Sequence, residues 1–481
     1  MNYKMTTYIL GKMFGVEAVV LLLPAFVSLL YRESNGYTFL LTSGILLVIY
    51  IVLGRKKPEN TTIYSKDGLV IVAAAWVLWS LFGALPFYIS GCIPNYVDAF
   101  FETVSGFTAT GSTVITDISK VSKGMNFWRC LTLWIGGMGV LIFVMVVTSV
   151  HEKNSMHLMR AEGPGPELSK LVPKARTTAK ILYGMYFALT IIQVIFLLIG
   201  GMDLYDSITH AFSTAGTGGF NNRSNSIAYY NSAYLEGVIA IFMILFGINF
   251  NLYYFLLFKK AKQVWKDEEV RIYLAVIVIS TILITINIFH IYDDLFLSFR
   301  YSIFQVASMI TTTGFSSTNY DIWPEFSKYI LLIVGIIGSC AGSTGGGIKV
   351  ARFLILLKSI KKEIGKMIHP KSVRIIKING KKVYEETIQG VYMFIIAYVF
   401  ILTISVVIIS LDNLDFATSF SAVLSAMNNA GLGISKVGPT GSFSQFSILS
   451  KIVLCLDMLI GRLEIFPFLM LLSPTLWRKK F

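Results

Sequence analysis

The chain has 481 residues, of which 55% are hydrophobic and 14% charged, with a mean hydropathy of +0.68. Those values exclude an ordinary soluble globular protein and point to a polytopic membrane protein. The formal net charge of +14 would suggest nucleic acid in a soluble chain, but its placement argues otherwise.

About 20 apolar residues cross a bilayer core. On that rule the sequence predicts spans over 12–31, 37–53, 68–90, 125–150, 179–200, 234–257, 270–292, 326–357, 386–410 and 446–475. An even number of spans puts both termini on one side. The first run is read as a membrane helix, because it outlasts a short h-region, lacks a small-residue cleavage site and is followed at once by another span. Segments 1–12, 54–67, 151–180, 258–271, 358–382 and 476–481 carry 29 of the 41 Lys and Arg, whereas the opposite connections carry eight. The positive-inside rule then predicts cytoplasmic termini. Topology and attraction to anionic membrane lipid account for the basic surplus, and nucleic acid is a poor alternative. Cys92, Cys130, Cys340 and Cys455 have no CxxC spacing and read as free or buried thiols.

A short polar segment recurs four times in the outward connections: Thr108-Ala-Thr-Gly-Ser112, Thr214-Ala-Gly-Thr-Gly-Gly-Phe220, Thr311-Thr-Thr-Gly-Phe-Ser316 and Asn428-Asn-Ala-Gly-Leu-Gly433. Aligned on Gly111, Gly218, Gly314 and Gly431, the copies make a fourfold internal repeat, and repeats of this kind usually enclose a shared axis. Each copy follows a short run, 97–104, 205–213, 295–310 or 416–427, too brief to cross a bilayer. Such runs fit re-entrant helices, which lipid permits only where the non-helical return lines water or is buried in protein. The expected fold is an all-α integral membrane protein of four pseudo-repeated span, pore-helix and span units around one central pore. The units are 68–150, 179–257, 270–357 and 384–475, preceded by two additional transmembrane helices in 1–54.

Small residues let backbone carbonyls approach a narrow axis, where they can replace the hydration shell of a monovalent cation. The C-terminal dipole ends of four short helices would favour a cation at the same centre. No Asp or Glu lies at the loop centres, which argues against a divalent-cation filter. The plainer alternative is that these glycines only permit close helix packing. A membrane-embedded enzyme is a rival from another class, but no His-Glu-x-x-His, Ser/Lys pair or pair of facing Asp supports it.

Five glycines, 338, 342, 345, 346 and 347, interrupt the 326–357 span, and that many should break a helix. A nucleotide-holding nest is a rival reading of this Gly-rich stretch, although no Gly-Lys-Ser/Thr follows and no strand precedes. Arg462 lies in the last span near Asp457 and Glu464. It either projects toward the cavity below the loops, adding positive potential or touching the glycine stretch, or forms an intramembrane ion pair. Asn249 and Asn251 read as interhelical hydrogen-bonders before ligands, His210 as a packing residue, and Asp98 and Glu102 as caps of the first short helix or part of a weak outer cation funnel.

These residues resemble the Trk, Ktr and HKT superfamily of potassium transporters over nearly all of the chain. The two extra N-terminal spans, the stretch Gly338-Ser-Cys-Ala-Gly-Ser-Thr-Gly-Gly-Gly-Ile-Lys349 and Gly461-Arg-Leu-Glu-Ile465 look most like its bacterial TrkH branch. The resemblance implies a non-enzymatic potassium uptake protein of the cytoplasmic membrane, with potassium as the transported and bound ion. Flux would be driven by the membrane potential, with or without a coupled ion; a Ktr-like sodium-stimulated system is the alternative. It implies a potassium-binding selectivity filter at Thr110, Gly111, Thr217, Gly218, Thr313, Gly314, Asn429, Ala430 and Gly431. It assigns a gating role to Gly342, Ser343, Thr344, Gly345, Gly346, Gly347 and Lys349, with Arg462 shaping the pore field. It also implies a homodimer and a separate cytosolic nucleotide-binding regulatory subunit of the TrkA type, docked on the basic segments 151–180 and 358–382. The chain has no G-x-G-x-x-G nucleotide fold of its own.

Overall fold

The computed structural model describes residues 2–139, 175–257, 261–372 and 374–473. The end of the span predicted over 125–150, most of segment 151–180 and the basic tail 476–481 lie outside the described residues. Helices α1 (Tyr3–Val20) and α2 (Leu22–Leu30) form one long apolar run that packs on α3 (Gly36–Leu53). Four units follow. The first contains α4 (Ser65–Gly83), α5 (Leu85–Ile89), the short α6 (Tyr96–Phe107) and α7 (Lys123–Gly137). The second contains α8 (Ala175–Ile199), α9 (Leu204–Gly216), α10 (Ala233–Phe246) and α11 (Phe250–Leu257), and α12 (Ala261–Lys266) links it to the third. The third contains α13 (Glu268–Tyr292), α14 (Leu295–Ile310), α15 (Glu325–Ile337) and α16 (Val350–Ile368). A small antiparallel hairpin, β1 (Lys377–Ile378) and β2 (Lys381–Lys382), precedes the fourth unit. That unit contains α17 (Glu385–Ile409), α18 (Phe416–Asn428), α19 (Ile448–Arg462) and α20 (Phe466–Leu472).

The outer helices show why the chain needs lipid around it. On α17, Met393, Ile396, Val399, Phe400 and Val407 are all more than half exposed, an apolar face that only hydrocarbon would cover without cost. The interior is the more polar side: His210, Ser213, Gln305 and Thr311 are fully buried on or just after the short helices. Among the described residues six helices are long and apolar enough to cross a membrane, or seven if α10 and α11 count as one span bent by 96°. Ten spans were expected. The difference lies in the second span of each unit: α7 ends at Gly137 with the described residues stopping at 139, and the others are interrupted at 247–249 between α10 and α11, at 338–349 between α15 and α16, and at 463–465 between α19 and α20. Glycines mark the first and third of these places, Gly136, Gly137 and Gly139 at the end of α7 and five between 338 and 347.

Candidate functional site

Each short helix begins on a side-chain cap. Asn95 accepts from the Val97 N–H, Asp203 from Asp206, Asp294 from Phe296 and Leu297, and Asp415 from Thr418. A capped N-terminus satisfies otherwise orphaned donors and fixes where each helix starts. Asp98 and Glu102 therefore cap nothing here. Asp98 pairs with Lys451 of α19 at 2.7 Å, and Glu102 is buried against Arg129 of α7 at 2.7 Å.

At their C-terminal ends the four helices turn in the same way. The N–H groups of Thr110, Gly218, Thr313 and Ala430 donate to the carbonyls of Ser105, Ser213, Ser308 and Ser425 at 2.8–3.0 Å. Just before those donors, Ala109, Thr217, Thr312 and Asn429 adopt φ between 53° and 57°; just after them, Gly111, Gly219, Gly314 and Gly431 adopt φ between 75° and 85°. The repeat therefore aligns Gly219 with Gly111. The sequence alignment on Gly218 is one residue out of register, because a Thr-Gly-Gly segment offers two glycines and the Thr-Gly match selects the first.

The four turns close into a ring. A Cβ added to Gly111 would lie 1.4 Å from the Gly218 carbonyl oxygen, and one on Gly219 would lie 2.1 Å from that of Thr313. One on Gly314 would lie 2.6 Å from the Ala430 oxygen, and one on Gly431 2.3 Å from the Thr110 oxygen. Each glycine thus presses on a backbone oxygen of the next unit, in the order one, two, three, four and back to one. Side chains stitch the seam between the first and last loops: Asn429 Nδ2 donates to Thr110 Oγ1 at 2.9 Å, and Ser112 Oγ donates to the Gly431 carbonyl at 3.3 Å. Gly111, Gly219 and Gly314 line an outer pocket with Thr113, Ser226 and Thr440, and no carboxylate lines it among the described residues.

Behind the first loop, Glu102 accepts from Arg129 Nε, from Thr113 Oγ1 at 2.9 and 3.0 Å and from the Val114 N–H at 3.0 Å. The Arg129 guanidinium also lies 4.1 Å from the Phe220 ring, so this buried pair braces the strands leaving two adjacent loops. His210 is fully buried, shares a 2.7 Å hydrogen bond through Nδ1 with the Asp206 carbonyl and stacks on Phe315, as a packing residue should.

The segment 338–349 crosses beneath the ring. Gly346 N–H donates to Thr312 Oγ1 at 2.6 Å, and Gly347 N–H donates to the Asn428 carbonyl at 3.0 Å, which ties it to the third and fourth loops. Cys340 N–H donates to the Gly247 carbonyl, and Phe250 N–H to that of Gly342, each at 3.0 Å, which ties it to the break in the second unit. Lys349, with φ of 83°, folds its Nζ back onto the Gly345 carbonyl. Arg462 donates to the Thr344 carbonyl at 2.9 Å and to the Gly136 and Gly137 carbonyls at 2.5 and 2.6 Å, joining this segment to the end of α7 in the first unit. The cavity below the ring is lined by Asn251, Gly345, Gly346, Lys349, Asn429 and Arg462, among others.

A family model described as TrkH, a cation transport protein, matches residues 39–479. The chain belongs to the TrkH family. The Trk system potassium uptake protein TrkH of Salmonella typhimurium is 35% identical to it over the whole of both chains. The Trk system potassium uptake protein TrkG of Escherichia coli is 33% identical over 99% of each. The crystal structure of the potassium transporter TrkH from Vibrio parahaemolyticus superposes with a TM-score of 0.89 at 33% identity, covering 99% of this chain and 100% of that one.

Within this TrkH-family fold, the residues singled out from sequence gather into two layers. Thr110, Gly111, Thr217, Gly218, Thr313, Gly314, Asn429, Ala430 and Gly431 all lie in the ring, and Gly219 joins them. Gly342 to Gly347 and Lys349 lie in the segment below it, in contact with Arg462. Of the two carboxylates near Arg462 in sequence, Glu464 pairs with Arg352 and Asp457 accepts from Ser405 at 2.8 Å. Asn249 Oδ1 accepts from the Asn251 N–H at 2.9 Å at the start of α11, and the same side chain lies against Gly342 of the glycine segment. The register had a legible signal: a serine stands six residues before each ring glycine, Ser105, Ser213, Ser308 and Ser425, and that spacing selects Gly219.

Proposed function

We propose that this chain takes potassium into the cell across the cytoplasmic membrane, through one pore whose selectivity filter is the four-loop ring. The observation that carries the reading is the closure of that ring, each loop glycine against a backbone oxygen of the next unit. The carbonyls of Thr110, Gly218, Thr313 and Ala430, with those of the neighbouring glycines, would replace the hydration shell of a monovalent cation. The C-terminal ends of α6, α9, α14 and α18 supply negative dipole potential at the same centre. The absence of a carboxylate among the described residues lining the outer pocket fits weak, multi-site binding that lets an ion leave as readily as it enters. The likeness to Trk system potassium uptake proteins over full length supports potassium as the ion.

On this reading the segment 338–349 is the gate. It lies under the ring, it is glycine-rich, and its bonds to the third loop and to the second and fourth units would let a small displacement open the path. Arg462 steadies it through Thr344 and adds positive potential to the inner cavity. Cytoplasmic termini, homodimeric assembly and control by a nucleotide-binding subunit of the TrkA type belong to the same proposal, on the charge distribution and the family likeness.

The test is rubidium and sodium uptake into liposomes holding the purified chain under an imposed inside-negative potential. Entry of rubidium that excludes sodium is the expected result. Rubidium entry that vanishes when bath sodium is replaced by choline would favour a sodium-stimulated system. No flux, even after cell extract is added to supply a cytosolic partner, would overturn the transport reading.

A further inference from the structure

One carboxylate ties together the two ends of the glycine segment. Glu269, the second residue of α13, accepts at a single oxygen, Oε1, from the N–H of Ala341 at 2.6 Å and from that of Ala351 at 3.1 Å. Ala341 stands immediately before Gly342, and Ala351 lies in the first turn of α16, so the two donors flank the run 342–347. The start of α13 is in turn held by the hairpin. Asn379, in the turn between β1 and β2, accepts through Oδ1 from the Glu268 N–H at 2.7 Å. It also donates its backbone N–H to Glu268 Oε1 at 3.0 Å and its Nδ2 to Asp267 Oδ2 at 2.8 Å. Residues 379–382 are exposed, so this grip is within reach of anything that approaches from the water on that side.

We propose that Glu269 is a positioning residue for ion passage, latching the gate segment closed, and that the hairpin sets the latch through Asn379. The inference rests on the reading of 338–349 as the gate. Two hydrogen bonds to one carboxylate oxygen fix both ends of a stretch whose glycines favour disorder. Removing the acceptor shifts the population toward displaced forms of the segment. Moving the hairpin shifts the first turn of α13, and with it the carboxylate.

The experiment compares Glu269→Ala, Glu269→Gln, Asn379→Ala and a chain lacking three glycines between 342 and 347, each in liposomes. The readouts are the rubidium entry rate, the rubidium to sodium ratio, and the rate at which a thiol reagent modifies Cys340, which is buried beside Ala341. Glu269→Ala is expected to raise rubidium entry and Cys340 modification about tenfold, the factor that ~1.4 kcal/mol of lost latch would produce, with the ion ratio unchanged. Glu269→Gln, which keeps an oxygen acceptor, gives a smaller rise, and Asn379→Ala moves both rates in the same direction. If the glycine deletion raises flux while both alanine variants match the unaltered chain, the latch is overturned and the gate stands. If the deletion also leaves flux unchanged, the gate reading falls and takes the latch with it. Should Glu269→Ala fail to fold, Asn379→Ala on the exposed hairpin decides alone, and unaltered rates there overturn the latch.

Discussion

At the residue scale, the ring turns on two neighbouring glycines with different duties. Gly219 has φ of 75° and abuts the Thr313 oxygen, so an alanine there meets both backbone strain and a collision with backbone. At Gly218 φ is not positive, and an added Cβ would meet the end of the Leu133 side chain, which can turn aside. Gly219→Ala should therefore abolish selective rubidium uptake, whereas Gly218→Ala should leave selective uptake measurable; the reverse order in flux assays would return the filter centre to Gly218. Gly111→Ser should lower the preference for rubidium over sodium, because its Cβ would lie 1.4 Å from the Gly218 carbonyl oxygen and push that oxygen out of the ring. The Glu102 and Arg129 pair makes a separate prediction about stability. Both side chains are 1% exposed or less, so Glu102→Gln leaves a buried guanidinium without its counter-charge and should destabilise the protein by about 3–5 kcal/mol. A thermal unfolding midpoint in detergent that does not fall would show that the pair is dispensable. The pair was hard to read in the sequence because 26 residues separate Glu102 from Arg129, and no pattern marks the two as partners.

At the element scale, the short helices were legible and two of the breaks were not. The helix predicted over 295–310 matches α14, and the other three differ from the predicted runs by no more than a turn at either end. Their lengths follow from apolar runs too short to cross and from polar residues at both ends. The break in the third unit was visible because several glycines, at up to about 1 kcal/mol each relative to alanine, outweigh any helical preference. The breaks at 247–249 and 463–465 were hidden, since one contains a single glycine and the other none. Tertiary contact makes them: Gly461 packs so close to the Met427 carbonyl that a Cβ would lie 2.2 Å away, and the chain then turns through Glu464 and Ile465 with φ of 56° and 70°. Sequence patterns carry hydrophobic period, not the approach of a distant carbonyl. The broken third helix predicts a change in basal conduction. Arg462→Gln removes donors that reach the Thr344, Gly136 and Gly137 carbonyls. Rubidium leak in liposomes should rise about tenfold or more, the factor given by the ~1.5–3 kcal/mol that one hydrogen bond to a charged group contributes. A folded variant with unchanged or lower leak would remove Arg462 from the gate.

At the scale of the whole molecule, charge and fold make one statement about orientation. The basic segments cluster at the start of α1, between α3 and α4, around the start of α13 and in the hairpin region, while the four ring segments and the short helices belong to the opposite connections. Retaining Lys and Arg on the side facing anionic lipid is what sets topology, and the number of cations per connection decides it more than net charge does. The two ends of this arrangement can be read chemically. Lys120, with a side chain 83% exposed, stands in the connection between α6 and α7, and Lys381 is exposed on the hairpin. A membrane-impermeant maleimide applied to intact cells should label Lys120→Cys and leave Lys381→Cys unmodified until the membrane is opened. The native thiols do not confuse the comparison, because Cys130, Cys340 and Cys455 are buried and Cys92 is present in both variants as a common background. Labelling of Lys381→Cys in intact cells would invert the molecule, and with it the direction in which an inside-negative potential drives a cation: from ring to gate in the orientation proposed here, from gate to ring in the other.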